Sequence, residues 1–422
     1  MIQQEQQQQE AKVFFSRHLL EWYQREKRDL PWRRHRNPYY IWISEIMLQQ
    51  TRVDTVIPYF HRFIERFPTV ESLADAPEED VLKCWEGLGY YSRARNIQHA
   101  AKQVKELYGG QVPDDRDAVF GLKGVGPYTA GAILSIAFNR PEPAVDGNVM
   151  RVLSRYFLIR DDIAKGPTRV KMEGLVRELI PEGEASSFNQ ALMELGALVC
   201  TPKSPRCLTC PVMEHCAGRL AGCETELPVK TKAKPPRPEE RLAALVEGRG
   251  AHAGRVLIRQ RPSSGLLARM WELPHWPAPP AEGGAPRTPL PEAAAQDRLR
   301  RSLQSAGISA RPEGHWMAAE HVFSHIVWTL QVYRCREEEA LPLAAEGRAV
   351  YGAAAAEAAA GGALLPDGSA PVELFDDGSG DPADRGAVRW INRADMANYA
   401  FPNVFLKLLN SYFDEQEQAG QE

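Results

Sequence analysis

Four cysteines lie close together near the middle of the chain, at Cys200, Cys207, Cys210 and Cys216, with the spacing C-x6-C-x2-C-x5-C. Burying several thiolates is unfavourable unless a cation compensates their charge, so a converging quartet suits an iron–sulfur cluster or a tetrahedral zinc ion. The start of the chain, MIQQEQQQQE, lacks the basic and apolar parts of a secretory signal. We therefore expect a cytoplasmic protein, in a compartment where disulfides are rare.

The spacing of the quartet favours iron–sulfur over zinc. Zinc sites usually combine two C-x2-C halves, whereas a single C-x2-C with one longer and one shorter arm occurs here. Zinc remains the alternative, and a 4Fe-4S cluster is the prediction. The other cysteines, Cys84, Cys223 and Cys335, are isolated in the sequence and are assigned no chemistry.

A glycine-containing turn and an aspartate precede the cysteines. In LKGVGPYTAGAI, residues 122–133, Gly124 and Gly126 predict a tight turn that leads into a helix of small residues. Backbone N–H groups at such a helix start can bind a phosphate, although the same pattern also fits a purely structural turn. Asp146 lies between a proline-rich loop and a new helix, where it either caps that helix or faces a cleft.

The elements that must position these residues fall into two classes. Before residue 228, stretches such as KVFFSRHLLEWYQ and VDTVIPYFHRFIERF have helical periodicity, and Pro68 and Pro77 interrupt it. After residue 240, RLAALVEG, GRVLIRQRP and HIVWTLQVYRCR are typical of strands, whereas PEAAAQDRLRRSLQSAG and NVFLKLLNSYF are typical of helices. The first half is predicted to be mostly helical, the second α+β, and both chain ends frayed.

Composition suggests where the domains divide. The segment PVKTKAKPPRPEE is rich in proline and lysine and predicts an extended linker, while a later stretch biased toward Ala, Gly, Asp and Pro predicts a disordered or loosely packed insertion. The predicted organisation is a helical domain at 1–227 with the turn at about 122–133 and the cysteine loop at 200–216, a linker at 228–240, and a second domain at 241–415 with an insertion at about 338–386.

Bulk properties narrow the class without identifying a ligand. With 422 residues and 44% hydrophobic content, the chain can bury more than one core. No apolar run approaches the length needed to span a membrane. The net charge of −4 does not indicate a nucleic-acid binder, so any basic surface must be local. The local basic clusters, which most simply predict solvated helix ends, are Arg33 with Arg34 and Arg36, Arg93 with Arg95, and Lys203 with Arg206.

The hairpin, the loop aspartate and the cysteine quartet, in this order and at these intervals, resemble the helix-hairpin-helix DNA glycosylases of the endonuclease III superfamily over about residues 12–225. Within that group, DLPWR (29–33), SEIMLQQT (44–51), GLGYYSRARN (87–96) and VDGNVMRV (145–152) look like the MutY-type adenine glycosylases. The resemblance implies a multidomain protein. Its parts would be a mainly α glycosylase domain with an iron–sulfur loop and an α+β, MutT/Nudix-like C-terminal domain.

One residue bears on the reaction type. Bifunctional members of the superfamily carry a catalytic lysine on the hairpin helix, where this chain has Tyr128. A phenol cannot form a Schiff base with the sugar, so the resemblance implies a monofunctional glycosylase. Lys123 is expected to contact a phosphate instead, together with the glycine turn.

The resemblance also implies which carboxylates act on the adenine. Glu45 lies among apolar neighbours, and a carboxylic acid whose pKa is raised by burial can protonate the departing base. Asp146 would stabilise the oxocarbenium ion, as in glycoside hydrolysis. Tyr128 and Asn148 would hydrogen-bond around these groups, and Glu45 would also activate the water.

Extraction of the base needs further residues. By resemblance, Gln50 and Tyr90 enter the space that the base leaves, Leu48 is a further candidate for the same role, and Arg33 lies near the adenine pocket. The resemblance implies a partner, double-stranded DNA with A:8-oxoguanine or A:G mispairs, and a monomer that would be nucleoid-associated in a bacterium.

The second domain resembles the MutT-like domain of adenine glycosylases, notably in RQRPSSGLLARMWELPHW. The hydrolase signature G-x5-E-x7-R-E-x2-E-E-x-G is absent, so nucleotide pyrophosphatase activity is not expected. The resemblance implies recognition of 8-oxoguanine by Phe323, Ser324 and His325 instead.

Two alternatives remain at the level of sequence. One is a bifunctional endonuclease III-like glycosylase and lyase acting on oxidised pyrimidines, which Tyr128 and the second domain disfavour. The other is a noncatalytic iron–sulfur DNA-binding protein, which Glu45 and Asp146 disfavour.

Overall fold

The computed structural model describes residues 2–232, 234–279, 290–338 and 387–419. The chain divides into two compact units, Met1–Ala233 and Lys234–Glu422. Residues 339–386 of the predicted insertion lie outside the described residues. Among the helices that the structure describes, none is long and apolar enough to cross a membrane.

The first unit is built from helices, as predicted. They are α1 (Ile2–Glu26), α2 (Pro38–Leu48), α3 (Val53–Arg66), α4 (Val70–Asp75), α5 (Glu78–Trp85), α6 (Ser92–Tyr108), α7 (Arg116–Phe120), α8 (Pro127–Ala132), α9 (Gly147–Tyr156), α10 (Gly166–Leu179), α11 (Ala185–Leu198) and α12 (Ala217–Leu220). Short 3-10 turns occupy Pro31–Arg33 and Cys207–Thr209, and a π-helical segment, Ile133–Ala137, continues α8. The prediction of a frayed start is wrong, because α1 begins at Ile2.

Helix α2 runs through the interior of this unit. The Asn37 side chain accepts a hydrogen bond from the Tyr39 N–H at its start, and Pro38 occupies its first turn. Residues PYYIWISEIML are apolar on nearly every side, as expected for a helix that is surrounded by protein. Glu45 is therefore carried into the interior by the helix around it, with 5% of its surface exposed.

The loop before Asp146 packs closely on α8. Ile41 of α2, Ala132 and Ile136 form a small apolar core with Ala144 of that loop. A Cβ atom at Gly131 would lie 1.9 Å from the carbonyl oxygen of Pro143, so only glycine permits this approach. A larger core joins α1, α9, α10 and α11 around residues such as Phe15, Leu153, Met172 and Leu192.

The second unit is a sheet with helices on both faces. Its elements are β1 (Arg237–Glu247), β2 (Val256–Gln260), β3 (Trp271–Glu272), β4 (His275–Pro277), α13 (Glu292–Ser305), β5 (Ala310–Val322), β6 (Ile326–Glu337), β7 (Val388–Ile391) and α14 (Asn403–Ala419). The strand order is β3-β2-β1-β6-β5, with β4 paired to β1 and β7 to β2. Strands β1 and β6 are parallel, and the other pairs are antiparallel.

Each face of the sheet has its own apolar core. Residues of α14, such as Phe405 and Leu409, pack with Leu330 and Val332, and residues of α13, such as Leu299, pack with Tyr333. The predicted α+β character of this half is confirmed. Strand β5 was not predicted from the sequence, and the predicted fraying of the tail is wrong as far as Ala419, where α14 ends.

The segment predicted to be a linker, residues 228–240, is divided between the two units. The Val229 carbonyl accepts a hydrogen bond from the Ile163 N–H at 3.0 Å, and the Thr231 N–H donates to the Asp162 carboxylate at 3.2 Å. Strand β1 begins at Arg237. Only a few residues of the segment therefore lie between the last bond to the first unit and the sheet of the second.

Candidate active site

A cavity of about 170 Å³ opens in the first unit between α2, α8, α9 and α11. Its polar lining consists of Arg28, Arg33, Ser44, Glu45, Thr51, Tyr128, Asp146, Asn148, Gln190 and Glu194. Of the residues predicted from the sequence, the cavity brings together Arg33, Glu45, Leu48, Tyr128, Asp146 and Asn148. Both predicted carboxylates thus face one space large enough for a small organic group.

Glu45 lies on the inner wall of the cavity. The Tyr128 hydroxyl, from the first turn of α8, donates a hydrogen bond to its Oε2 at 2.5 Å and also lies 3.3 Å from the Met193 sulfur. Burial raises the pKa of Glu45 to about 7 and the nearby charge of Asp146 adds to this, whereas the Tyr128 hydrogen bond and Arg33 lower it. At neutral pH the carboxyl group is consequently close to its midpoint and can give or take a proton.

Asp146 combines capping with a position on the cavity. It is the N-cap of α9: its Oδ1 accepts from the Val149 N–H at 2.7 Å, and its Oδ2 accepts from Asn148 Nδ2 at 2.9 Å. Burial raises its pKa, and these hydrogen bonds, with the charge of Arg151, oppose that rise. Both alternatives drawn from the sequence, the cap and the cleft residue, thus apply to the same side chain.

A third carboxylate on the cavity was not predicted. Glu194 of α11 is 1% exposed and accepts from Arg28 Nε and Nη2, each at 2.8 Å, and from Arg33 Nη2 at 2.9 Å. Burial alone would raise its pKa, but the hydrogen bonds and charges of the two arginines lower it to about 2. Arg33 is therefore not a solvated helix end. A glutamate within the apolar run ALMELGAL gave the same signal that singled out Glu45.

Of the predicted wedge residues, Gln50 and Tyr90 lie outside the cavity, whereas Leu48 lines it. Gln50 follows α2 and Tyr90 lies between α5 and α6, both exposed and both in the left-handed backbone region, with φ of 58° and 49°. Arg93, expected at a solvated helix end, is instead buried, because its guanidinium binds carbonyl groups of both loops. Nothing in the amino-acid sequence indicated those partners.

The predicted hairpin is formed by α7, a turn and α8. Gly124 has φ of 76°, and Gly126 is the N-cap of α8. The Lys123 N–H donates to the Gln103 side chain at 2.8 Å, which anchors the turn to α6. Lys123, Gly124 and Gly126 are all exposed, so the backbone of the turn is accessible to a large ligand.

The four cysteines line one cavity beside α9 and form no disulfide. Two buried arginines of α9 hold the segment that carries them. Arg155 Nη1 lies 3.3 Å from the Cys200 sulfur and donates to the Thr201 carbonyl at 2.7 Å. Arg151 donates to the Cys200 carbonyl and to Asn148 Oδ1, each at 2.8 Å, and so links the cysteine segment to the neighbour of Asp146.

The donor set fits a metal–sulfur group. Burial raises the pKa of Cys210 to about 12, so a thiolate there requires a cation. The four sulfurs line one cavity, and a set of four cysteine thiolates is the usual ligand set of an iron–sulfur cluster.

In the second unit, Phe323, Ser324 and His325 form the turn between β5 and β6. The Phe323 ring packs edge-on against Trp328, with ring centroids 4.9 Å apart. Ser324 and His325 are exposed. The turn thus has one anchored aromatic residue and two polar residues that face outward.

Three family models match separate parts of the chain. Residues 43–181 match the HhH-GPD superfamily of base excision DNA repair proteins. The matched range includes the hairpin and both predicted carboxylates. Residues 200–216 match the iron–sulfur binding domain of endonuclease III, so the predicted iron–sulfur cofactor is confirmed. Residues 249–366 match the NUDIX domain, which confirms the predicted class of the second unit.

Characterised relatives cover most of the chain. The adenine DNA glycosylase of Rattus norvegicus is 39% identical over 378 residues, which is 78% of this chain and 71% of the relative. That of Homo sapiens is 38% identical over 375 residues, or 77% of this chain and 67% of the relative. A solved thermostable thymine-DNA glycosylase is 30% identical, covering 51% of this chain and 99% of that structure, with a TM-score of 0.47. The chain is an enzyme of base excision repair and belongs to the adenine DNA glycosylase family.

Proposed function

We propose that this enzyme hydrolyses the N-glycosidic bond of adenine mispaired with 8-oxoguanine or guanine, with Glu45 as general acid and base and Asp146 as the stabiliser of the oxocarbenium ion. The observation that carries the proposal is the pair of carboxylates on one cavity in different environments. Such a pair divides the roles of acid and anion between two residues of similar chemistry.

The first step is protonation of the base. Adenine leaves poorly as an anion, and a carboxylic acid with a pKa near 7 holds a proton at neutral pH and can transfer it to N7. The Tyr128 hydroxyl donates to Oε2, so the transferable proton belongs on Oε1. Glu45 then remains as a carboxylate beside the reacting carbon, where it can accept a proton from the attacking water.

The second step places positive charge on the sugar. Asp146 accepts hydrogen bonds from Val149 and Asn148, both of which favour its ionised form. An anion held in this way can stabilise the oxocarbenium ion at C1′ from within the same cavity. Asn148 is in turn held by Arg151, so the orientation of the carboxylate depends on α9 as a whole.

Recognition of adenine is assigned to a charged group that also lines the cavity. Arg28 and Arg33, both partly exposed, form ion pairs there with the buried Glu194. Their mutual hydrogen bonds fix the positions of donors and acceptors that could pair with the edge of a purine. Arg33, assigned to the adenine pocket by resemblance, is the member of this group that we place next to the base.

The absence of a lysine at the hairpin helix supports a monofunctional reaction. The corresponding residue is Tyr128, whose hydroxyl already donates to Glu45. A phenol does not form a Schiff base with a sugar aldehyde, so strand cleavage by this route is not expected.

DNA binding is assigned to the exposed loops of the first unit. Lys123, Gly124 and Gly126 would contact phosphate, while Gln50, Tyr90 and Leu48 would enter the duplex as the adenine leaves it. The cluster has no electrons to transfer in a hydrolysis. We assign it to holding the segment 200–216, which exposes Lys203 and Arg206.

The second unit is assigned to the base opposite the adenine. The turn of Phe323, Ser324 and His325 supplies an anchored ring and two outward polar groups, which suit recognition of 8-oxoguanine. We further propose that the enzyme acts as a monomer on double-stranded DNA, in a reducing compartment where disulfides are rare.

The test is an assay for free adenine on a duplex with one A:8-oxoguanine pair, analysed before and after alkali. We expect adenine release, with strand breaks only after alkali treatment. Breaks without alkali would indicate the bifunctional alternative, and absence of adenine release would indicate a noncatalytic DNA-binding protein.

Asp146→Asn is the matched variant for this assay. Asparagine caps a helix about as well as aspartate, so α9 should persist and the duplex should still bind. Excision should fall by roughly 100-fold or more, because the anion is lost. Retained turnover in Asp146→Asn would overturn the proposed role.

A further inference from the structure

The two loop residues assigned to the wedge share an uncommon backbone conformation. Gln50 and Tyr90 have φ of 58° and 49°, a region that residues with side chains seldom adopt. Such conformations persist when the surrounding structure holds them, and they concentrate at functional sites. Both side chains are exposed, so packing in the protein interior does not impose the conformation.

One buried side chain reaches the backbone of both loops. Arg93, in the first turn of α6, is 9% exposed. Its Nη1 donates to the carbonyl oxygens of Ile46 at 2.8 Å, Met47 at 3.1 Å and Gln49 at 2.6 Å, and its Nη2 donates to those of Leu88 at 3.5 Å and Gly89 at 3.1 Å. The guanidinium thus joins the end of α2 to the loop before α6.

Two of these hydrogen bonds are made to the peptide groups whose orientation sets φ of Gln50 and Tyr90. The Gln49 carbonyl belongs to the peptide group that leads into Gln50, and the Gly89 carbonyl belongs to the one that leads into Tyr90. The orientation of a peptide group relative to the next residue is that residue's φ. Arg93 therefore holds both left-handed conformations with one rigid group.

Further contacts favour arginine at this position. The carbonyls of Ile46 and Met47 lie in the last turn of α2, where a positive charge is favourable, and the Ile46 carbonyl also accepts the Gln49 N–H at 3.4 Å. The guanidinium also lies 5.4 Å from the ring centroids of both Trp85 and Tyr90. The planar fork of arginine can serve two chain segments at once, which a lysine ammonium cannot do with the same geometry.

We propose that Arg93 is a positioning residue that fixes Gln50 and Tyr90 relative to each other, so that the two enter the DNA duplex as one preformed wedge. This inference rests on the proposed wedge role of those two residues. Extracting a stacked base costs free energy, and a wedge held ready avoids the further cost of ordering two loops at that moment.

The experiment compares single-turnover excision by full-length wild type and Arg93→Met on two DNA substrates. One is a fully paired duplex with a single A:8-oxoguanine pair, and the other places the same pair among mismatched, unstacked neighbours. We expect Arg93→Met to lose roughly 10- to 100-fold on the paired duplex, as a misplaced positioning group does. The loss on the unstacked substrate should be several-fold smaller, because less extraction is needed.

Gln98→Met is the matched control on the same helix. Gln98 is 2% exposed, and its side chain donates to the backbone carbonyls of Ala76 at 2.7 Å and Leu73 at 3.4 Å, away from both wedge loops. The substitution Gln98→Met therefore removes a buried hydrogen-bond donor to backbone carbonyls, as Arg93→Met does, but leaves the loops of Gln50 and Tyr90 unchanged. A loss for Arg93→Met that is equal on the two substrates, or a duplex-specific loss for Gln98→Met, would overturn the proposal.

Gln50→Ala and Tyr90→Ala separate this inference from the wedge role on which it rests. If both excise from the paired duplex like wild type, the wedge role fails and the inference with it. If they are impaired and Arg93→Met is not, only the inference fails. The loss caused by Arg93→Met should also be smaller in the Tyr90→Ala background, because Arg93 then has only one wedge residue left to position. A purely structural defect would instead cause the same loss in both backgrounds.

Arg93→Lys covers the case in which Arg93→Met does not fold. It keeps a positive charge at the end of α2 but cannot hold both loops, so we expect an intermediate, duplex-specific loss. An equal loss by Arg93→Lys on the two substrates would contradict the proposal.

Discussion

Glu45 and Asp146 are carboxylates that line one cavity but have different hydrogen-bond partners. Glu45 receives a single hydrogen bond from a phenol within an apolar helix, whereas Asp146 is surrounded by donors that favour its anion. Burial raises the pKa of both residues, and that of Glu45 reaches about 7. Local hydrogen bonding thus suits Glu45 to the role of the acid and Asp146 to the role of the anion in the proposed reaction.

The first prediction concerns the pH dependence of excision. The donor form of Glu45 is the protonated one, so single-turnover excision should fall as pH rises above about 7. Glu45→Gln should excise at least roughly 100-fold more slowly, without that dependence on pH. The exposed Glu65→Gln should retain the wild-type profile. A wild-type rate that rises steadily from pH 7 to 9 would contradict the role of Glu45 as the acid.

The same pKa predicts how stability changes with pH. The folded-state pKa of Glu45 lies above its ordinary value of 4.5, so the folded state favours the protonated form. That contribution is complete below about pH 4.5 and is lost as pH rises through 7. Relative to wild type, Glu45→Gln should gain roughly 3 kcal/mol in the free energy of unfolding between pH 5 and 9. Denaturant titrations at both pH values measure this, and an unchanged difference would count against it.

Among the structural elements, the hairpin turn has one glycine that its backbone conformation requires, Gly124, and one that it does not, Gly126. Gly124 has a left-handed backbone, and a Cβ atom there would lie 2.7 Å from Cβ of Asn96, whereas a Cβ at Gly126 would meet nothing within 4 Å. Gly124→Ala should therefore lower the free energy of unfolding by about 1–3 kcal/mol.

Gly126→Ala supplies the contrast. It should leave thermal unfolding nearly unchanged and weaken duplex binding, if the N–H groups at the start of α8 approach phosphate. Thermal melts and binding titrations at two salt concentrations distinguish the effects. Equal melting temperatures for Gly124→Ala and wild type would contradict the reasoning from the backbone.

The cysteine segment is the second element with a testable role. Arg151 and Arg155 bind its backbone, and Arg151 continues to Asn148, so loss of the cluster should disturb both the segment and the active site. Cys207→Ser should lower the melting temperature and the affinity for duplex DNA together. Cys84→Ser, which removes a thiol outside the quartet, should change neither. A Cys207→Ser protein that folds and binds like wild type would show that the cluster is dispensable for both.

In the whole molecule, the first unit is proposed to excise adenine and the second to recognise the opposite base. Val229 and Thr231 bond to the first unit, so a truncation that tests it should end after Ala233 rather than before the predicted linker. Residues 1–233 should excise adenine opposite guanine at a rate close to that of the full chain. The preference for 8-oxoguanine over guanine as the opposite base should decrease by roughly tenfold or more, because the turn at Phe323–His325 is lost. Equal loss on both substrates would contradict this division of tasks.

The family of the chain, its two kinds of domain and its iron–sulfur cofactor could be predicted from the sequence alone. Motif residues such as Glu45, Tyr128, Asp146 and the cysteine quartet are recognisable because their types and local spacing are the signal. Helices and strands with clear periodicity were likewise predictable, since amphipathic patterning is a property of neighbouring residues.

The surroundings of those residues became evident only in the folded protein. Tyr128 meets Glu45 from 83 positions away, and Arg28 meets Glu194 from 166 positions away. Arg93, which the sequence suggested was a solvated helix end, proved to be a buried clamp on two loops. Burial, pKa and hydrogen-bond partners arise from contacts between distant segments, and local sequence patterns do not specify which segments meet.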